Sequence, residues 1–172
     1  MLQGWHIGVV IPAYNEEEHV ASVIEGLPSF VDIAVVVDDG SDDATATQVK
    51  NANCTCELTV LDGGGKGVGS AIDMGHRHLV STFNSRFISV VMAGDGQMNP
   101  NDMESLLEPI FKNQADHVKG NRLQHSGGFN RMPRYRQRAS KVLSFFTTLA
   151  AGQPISDPQC GYTATSSEVL RQ

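Results

Sequence analysis

The stretch Ile33-Ala34-Val35-Val36-Val37-Asp38-Asp39-Gly40-Ser41 decides the fold, because five consecutive apolar residues run directly into an acidic turn. A short, continuous apolar run of this kind is typical of a strand that is buried on both faces of a parallel sheet. Similar runs occupy residues 7–11, 58–61 and 87–92, and segments with helical periodicity separate them. The alternation predicts an α/β fold with a mostly parallel central sheet flanked by helices.

Local signals set the expected boundaries of these elements. We predict that Pro12 ends the first strand and that Asn15 caps the next helix, with Glu18 at the capping-box position. A short helix is expected over about 43–50, a short strand near 117–119 and a further helix over about 134–151. Helical spacing predicts three buried stripes: Val20, Val23, Ile24 and Leu27; Val68, Ala71, Ile72 and Leu79; and Met103, Leu106, Leu107 and Ile110.

Polar clusters follow the predicted strands at residues 13–16, 38–43, 62–67 and 95–97. Ligands of open α/β sheets bind outside the carboxyl ends of the strands. We therefore expect the four clusters to converge on one cleft.

Charge is distributed unevenly along the 172 residues, although the net charge is only −6. Residues 1–116 hold 17 acidic and 5 basic side chains, whereas residues 117–156 hold seven basic side chains and no acidic one. This segregation favours an anionic partner for the second segment, with a solvated basic helix as the alternative. We expect no nucleic-acid partner.

The cysteines and the N-terminal residues indicate the cellular compartment in which the protein works. Three cysteines without a regular spacing argue against a secreted disulfide scaffold, so we expect reduced thiols. The first residues lack a basic leader and an apolar core, and no apolar stretch approaches the roughly 20 residues of a membrane span. These features predict a cytoplasmic protein.

Two clusters have side chains suited to phosphate chemistry. Gly63-Gly64-Gly65-Lys66-Gly67 resembles a phosphate cradle, but it lacks the spacing of a P-loop or of a dinucleotide-binding turn. Asp95 and Gln97 offer hard oxygen ligands for Mg²⁺ or Mn²⁺, which such sites hold together with substrate phosphates.

In combination, the segments at 11–17, 37–43, 65–67 and 92–97 resemble the family-2 glycosyltransferases in order and spacing, over nearly the whole chain. The resemblance implies the GT-A fold and an inverting transfer from a nucleotide-diphosphate sugar. It also implies roles for individual residues. The donor would be bound by Pro12, Ala13, Tyr14, Glu16, Asp38, Asp39, Lys66, Gly67 and Gly94. Asp95 and Gln97 would hold the divalent cation, weakly, because Ala93 replaces the first aspartate of the family's metal motif.

The second half resembles the dolichol- and polyprenol-phosphate hexosyltransferases at residues 120–122, 132–133 and 157–162. That resemblance implies that Arg122, Arg136 and Ser140 hold the acceptor phosphate. With Asp95, the arginines and Asp157 form the predicted catalytic group. For Asp157, two roles stay open: a general base for a hydroxyl acceptor, or a structural residue of the acceptor site.

The predicted reaction moves a hexose from a UDP-, GDP- or dTDP-linked donor to a polyprenyl phosphate. A saccharide hydroxyl acceptor and a non-catalytic nucleotide-sugar-binding module are the alternatives. We expect one C-terminally truncated domain over residues 1–172, with a donor half at 1–116 and an acceptor half at 117–172. In the full-length protein, it would work at the cytoplasmic face of the membrane.

Overall fold

The computed structural model describes residues 1–121 and 160–172. The chain separates into two compact units, and the first comprises Met1–Val118 and Tyr162–Gln172. The features below belong to this first unit, except Lys119 at the end of β5 and Cys160, which belong to the second. The predicted helix over 134–151 lies outside the described residues.

Six strands form one sheet in the order β3-β2-β1-β4-β6-β5. The strands are β1 (His6–Ala13), β2 (Ile33–Asp38), β3 (Glu57–Asp62), β4 (Phe87–Val91), β5 (His117–Lys119) and β6 (Thr163–Ser166). The helices are α1 (Val20–Glu25), α2 (Thr45–Asn51), α3 (Val68–Thr82), α4 (Met103–Phe111), preceded by a 3-10 turn at Pro100–Asp102, and α5 (Ser167–Leu170).

The sheet is mixed. β1 pairs in parallel with β2 and β4, and β2 pairs in parallel with β3. β6 runs antiparallel to β4 and was not predicted from the sequence. Two of its polar residues are nevertheless buried, and both are hydrogen-bonded: Thr165 Oγ1 bonds to the His117 ring at 2.8 Å, and Ser166 donates its N–H to Asp116 O at 2.8 Å.

Strands β1, β2 and β4 bury both faces, as their continuous apolar runs predict. For the run at 58–61 the prediction was wrong, because β3 has no buried residue and Val60 is 38% exposed. Val10 of β1 belongs to a core cluster with Val35 and with Leu79 of α3. Since strand side chains alternate between faces, Val9 and Ile11 point to the opposite face, and both are fully buried.

Helix α3 lies unusually close to β1 because glycines occupy the contact. A Cβ on Gly75 would stand 2.3 Å from Val10 Cγ1, and a Cβ on Gly8 would stand 2.6 Å from Leu79 Cδ2. The helix packs at this distance only while both positions lack a side chain.

Some predicted boundaries were wrong. Strand β1 continues through Pro12 to Ala13, because Pro12 still accepts a hydrogen bond from Gly94 N at 3.2 Å through its carbonyl. Asn15 does not cap α1, which begins at Val20, because its side chain pairs with Asp42. The buried stripes on α1 and α4 are confirmed, whereas Val68 is 63% exposed.

Cys54 and Cys56 form a disulfide just before β3, contrary to the expected reduced state, while Cys160 is a buried free thiol. In residues 1–121 and 160–172, no helix has the length and hydrophobicity needed to cross a membrane.

Candidate donor-binding site

A cleft of about 190 Å³ opens at the carboxyl ends of the parallel strands. It is bordered by the ends of β1 and β2, the first residue of α3 and the turn after β4. The lining residues are Pro12, Ala13, Tyr14, Glu16, Asp39, Val68, Ala93, Gly94 and Asp95. Three of the four predicted polar clusters thus supply a lining residue, and residue 68 follows the fourth directly.

The loop after β1 is fastened to the loop after β2. Asn15 donates its amide to Asp42 Oδ1 at 2.8 Å and accepts from Asp42 N at 3.0 Å. Glu16 N donates to Thr45 Oγ1 at 2.8 Å. Asn15 has a φ of 55°, a left-handed conformation that asparagine tolerates better than most residues. These bonds fix the backbone of Glu16 at the cleft.

The two adjacent aspartates at the end of β2 have different tasks. Asp38 accepts from Ser41 N at 3.0 Å and Ser41 Oγ at 2.6 Å, so it closes its own turn. Asp39 is 8% exposed and accepts from Lys66 N at 2.8 Å and Gly67 N at 2.7 Å, one bond to each oxygen. Only Asp39 lines the cleft.

The glycine-rich loop folds around Asp39. A Cβ on Gly63 would lie 2.9 Å from Asp39 Oδ1, so this position admits no side chain without a shift. Gly64 and Gly65 have φ values of 69° and 68°, which L residues rarely adopt. The Lys66 side chain is exposed, and its Cε lies 3.9 Å from the position that a Gly64 Cβ would take.

The turn after β4 forms the other border. Gly94 N donates to Pro12 O, and a Cβ there would lie 3.3 Å from Ala13 Cβ, so the turn lies tightly against the end of β1. Asp95 Oδ1 accepts from Gln97 N at 3.0 Å. Within the described residues, Asp95 Oδ2 accepts no hydrogen bond and is available to a ligand.

Glu16 faces this turn. Burial raises the pKa of the Glu16 carboxyl above its ordinary value, and the Asp95 carboxylate raises it further, while His19 acts in the opposite direction. Two carboxylates therefore share one side of the cleft, and a cation placed between them would relieve their repulsion.

The residues fit a divalent cation in part. Asp95 provides a free carboxylate oxygen, whereas Ala93, which also lines the cleft, provides none. Gln97 is exposed and outside the lining. The described part of the chain has no group of three or more His, Cys, Asp or Glu side chains that could hold a metal. Most ligands would have to come from the donor diphosphate and water.

The structure brings together most of the predicted donor-site residues. Pro12, Ala13, Tyr14, Glu16, Asp39, Gly94 and Asp95 line the cleft, while Asp38, Lys66, Gly67 and Gln97 adjoin it without lining it. Arg122, Arg136, Ser140 and Asp157 lie outside the described residues. Val68 was missed as a site residue, although its place directly after the glycine loop was a usable signal.

Comparisons with known proteins identify the family of this chain. The family model "Glycosyl transferase family 2" matches residues 8–172. A UDP-N-acetylglucosamine–dolichyl-phosphate N-acetylglucosaminyltransferase of Methanococcus voltae is 30% identical over 180 residues, covering 96% of this chain and 71% of the relative.

Solved structures show the same fold. Mannosyl-3-phosphoglycerate synthase from Rubrobacter xylanophilus has a TM-score of 0.69 at 20% identity, over 96% of this chain and 55% of that one. Glucosyl-3-phosphoglycerate synthase from Mycobacterium tuberculosis, solved with Mn²⁺, UDP and phosphoglyceric acid, has a TM-score of 0.68 at 23% identity, over 96% and 57%. The chain thus spans less than two thirds of these structures. The GT-A fold is confirmed, and the chain belongs to glycosyltransferase family 2.

Proposed function

We propose that this chain is the donor-binding core of an inverting glycosyltransferase that moves a hexose from a UDP-linked sugar to a polyprenyl phosphate. The Methanococcus relative, whose name specifies a UDP-sugar donor and a dolichyl-phosphate acceptor, supports this choice of substrates. Sugars linked to GDP or dTDP are the alternative donors, and the titration described below includes them.

The observation that carries the proposal is the cleft itself. Its walls are mostly apolar and include the exposed side chains of Tyr14 and Val68, which suit the flat faces of a nucleobase. Carboxylates stand at its borders, where ribose hydroxyls can donate to them. An apolar slot with a few polar groups at its rim is the usual form of a small-molecule site.

Asp95, with Gln97 beside it, would hold the divalent cation together with the diphosphate. When bound, that cation neutralises charge on the departing nucleotide diphosphate. Asp95 contributes the oxygen Oδ2, and the turn bond between Asp95 Oδ1 and Gln97 N holds the carboxylate in place. Lys66 adds a positive charge from the opposite border.

For the acceptor, the support is the charge of residues 117–156, with seven basic side chains and no acidic one. A phosphate monoester is largely dianionic at pH 7, so it is already nucleophilic and needs cations more than a general base. Arginine forks match phosphate oxygens, and we assign this role to Arg122 and Arg136, with Ser140. Asp157 then has a structural role.

The proposed reaction is a single displacement. The acceptor phosphate oxygen attacks the anomeric carbon from the face opposite the diphosphate, forming one C–O bond as the bond to the leaving oxygen breaks. The electron pair of that bond leaves on the nucleotide diphosphate, and the anomeric configuration inverts. We further propose that the enzyme works at the cytoplasmic face of a membrane, with donor and acceptor halves divided near residue 116.

The test begins with calorimetric titration of UDP-, GDP- and dTDP-sugars, with and without Mn²⁺. We expect Mn²⁺-dependent binding of UDP-sugars and its loss in Asp95→Ala, whereas Asp73→Ala, an exposed acid on α3, serves as the control. Product formed from UDP-N-acetylglucosamine and polyprenyl phosphate is then examined by NMR for its anomeric configuration. Retention of configuration would contradict the proposed mechanism, and the absence of donor binding would contradict the donor site.

Ala93 favours a second candidate, a non-catalytic nucleotide-sugar-binding module, because a methyl group replaces a metal ligand of the family motif. Donor binding that is independent of Mn²⁺, without transfer to a lipid phosphate or a saccharide, would select this candidate. Transfer to a saccharide hydroxyl alone would select the other acceptor class.

A further inference from the structure

We infer that a second cavity, at the amino ends of the parallel strands, is a binding site for a saccharide. The cavity has a volume of about 380 Å³, which is within the range of small-molecule sites. Six of its lining residues have side chains with polar groups: Trp5, Arg86, Asn113, Gln114, Asp116 and Glu168. The inference goes beyond the proposed function, because none of the described residues lines both this cavity and the donor cleft.

The cavity lies at the opposite edge of the sheet from the donor cleft. Trp5 directly precedes β1 and Arg86 directly precedes β4, whereas the donor cleft lies where β1 ends. β1 has eight residues, so at about 3.3 Å per residue its two ends are roughly 25 Å apart. A sugar bound in this cavity is therefore not the sugar of a donor bound in the cleft.

The guanidinium group of Arg86 is held in place although the side chain is exposed. Its Nε donates to Gly4 O at 3.0 Å, and its central carbon lies 4.8 Å from the centroid of the Trp5 ring, a cation–π contact. Gly4 has a φ of 80°, and a Cβ at this position would lie 2.8 Å from Arg86 Nη2. The turn before β1 thus fixes a cation at one side of the cavity.

Two carboxylates of the lining are also oriented by neighbouring groups. Ser166 Oγ donates to Asp116 Oδ1 at 3.3 Å, and Ser167 Oγ donates to Glu168 Oε2 at 3.3 Å. The second oxygen of each carboxylate accepts no hydrogen bond from residues 1–121 or 160–172. Both of these oxygens are therefore available to a ligand.

The charges of the cavity do not neutralise one another. In the part of the chain that the structure describes, no salt bridge joins Arg86 to Asp116 or Glu168. A ligand that satisfies this lining must donate hydrogen bonds to the carboxylates and accept them from the guanidinium. A hydroxyl group does both, and hydrogen bonds to charged groups are the stronger ones. The several hydroxyls of a sugar ring meet this requirement in one small molecule.

Other classes of ligand fit the lining less well. The two carboxylates repel a phosphate, and the Arg86 guanidinium repels a metal cation. A free amino acid could pair its two charges with the lining and is the competing ligand. The exposed carboxamides of Asn113 and Gln114 favour the saccharide, because neutral amides match hydroxyls rather than ions.

The experiment uses the fluorescence of Trp5 as its probe. Trp5 is the only tryptophan among the 172 residues and lines this cavity, so its signal reports on the cavity directly. The whole chain is titrated with the methyl glycosides of N-acetylglucosamine, glucose, mannose and galactose, and with glycine and lysine as the free amino acids. We expect a saturable response to at least one glycoside, with a dissociation constant on the order of 1 mM, and none to the amino acids.

Variants locate the binding site. Arg86→Met should weaken binding of that glycoside about tenfold and Glu168→Gln about fivefold, because each removes a charged partner of the hydroxyls. Arg77→Met and Glu104→Gln, exposed residues outside the lining, are the matched controls and should leave the affinity unchanged. Glu168→Gln keeps the size of an exposed side chain, so it tests the inference even if Arg86→Met disturbs the packing of Trp5.

Three outcomes would overturn the inference: no saturable response to any glycoside, unchanged glycoside affinity in both Arg86→Met and Glu168→Gln, or binding of an amino acid without binding of a glycoside. Calorimetry with UDP keeps the two proposals apart. A wild type that binds a glycoside at Trp5 but no UDP would contradict the proposed function and leave this inference standing.

Discussion

Asp39 and Asp95 border the same cleft from opposite sides, yet the protein treats them differently. Asp39 is buried and both of its oxygens accept backbone N–H groups, whereas Asp95 is half-buried and keeps Oδ2 free within the described residues. The two aspartates each follow a parallel strand, yet they have different roles. Asp39 organises the protein, and Asp95 faces the ligand.

The largest effect expected from this contrast is on activity at Asp95. Asp95→Asn should lower the transfer rate by about 100-fold or more, as loss of a preorganised electrostatic group does. Its stability should stay within about 0.5 kcal/mol of the wild type, because its one bond closes an exposed turn. Product formation and urea denaturation measure the two quantities, and a large loss of stability would contradict the contrast.

For Asp39→Ala, the main expected effect is on stability. It leaves two loop amides without their charged acceptor, and we expect a loss of about 2–3 kcal/mol in the free energy of unfolding. Asp62→Ala is the matched comparison, because exposed Asp62 accepts one amide of the same loop, and its loss should stay below about 1 kcal/mol. Equal losses in urea denaturation would refute the organising role of Asp39.

Ala93→Asp should strengthen cation binding at the ligand-facing turn that holds Asp95. A second carboxylate beside Asp95 adds a hard ligand, and we expect Mn²⁺ to bind about tenfold more tightly in the presence of UDP, or about 1.4 kcal/mol. Ala93→Asn, which adds an oxygen without charge, should gain less. Unchanged Mn²⁺ affinity by calorimetry would place the cation away from this turn.

The smallest effect concerns Glu16, whose pKa burial and Asp95 raise. A carboxyl with a raised pKa in the folded state binds its proton more tightly there, so stability declines as pH rises from about 4.5 through the folded pKa. Glu16→Gln should therefore melt slightly higher than the wild type at pH 7, with no difference below pH 4. Scanning calorimetry across pH tests this, and a wild type that melts higher at pH 7 would contradict it.

The fold was predictable where one local pattern was sufficient. The buried runs of β1, β2 and β4 and the stripes of α1 and α4 read directly from apolar spacing. β6 was missed because Thr163–Ser166 is short and mostly polar, and all of its partners are distant in sequence. It pairs with β4, and its side chains bond to His117 and Asp116, nearly 50 positions earlier.

The site was predictable as a set of motifs but not as a set of contacts. Asn15 has the local signature of a helix cap, yet its side-chain amide donates to Asp42 Oδ1 and accepts from Asp42 N. Asp39 was expected to bind the donor, which stays a prediction, and nothing local in the sequence shows that Lys66 N and Gly67 N donate to its two oxygens. Such competition between partners distant in sequence is decided by the tertiary structure.

The glycine contacts between α3 and β1 also limit how this sequence can change over evolution. A methyl group at Gly75 would collide with Val10, and one at Gly8 with Leu79, so neither glycine can be replaced alone without moving the helix. Homologues with a larger residue at either position should carry a smaller one at its partner. A mutational library that varies these positions in pairs would therefore recover more folded variants than one that varies them singly.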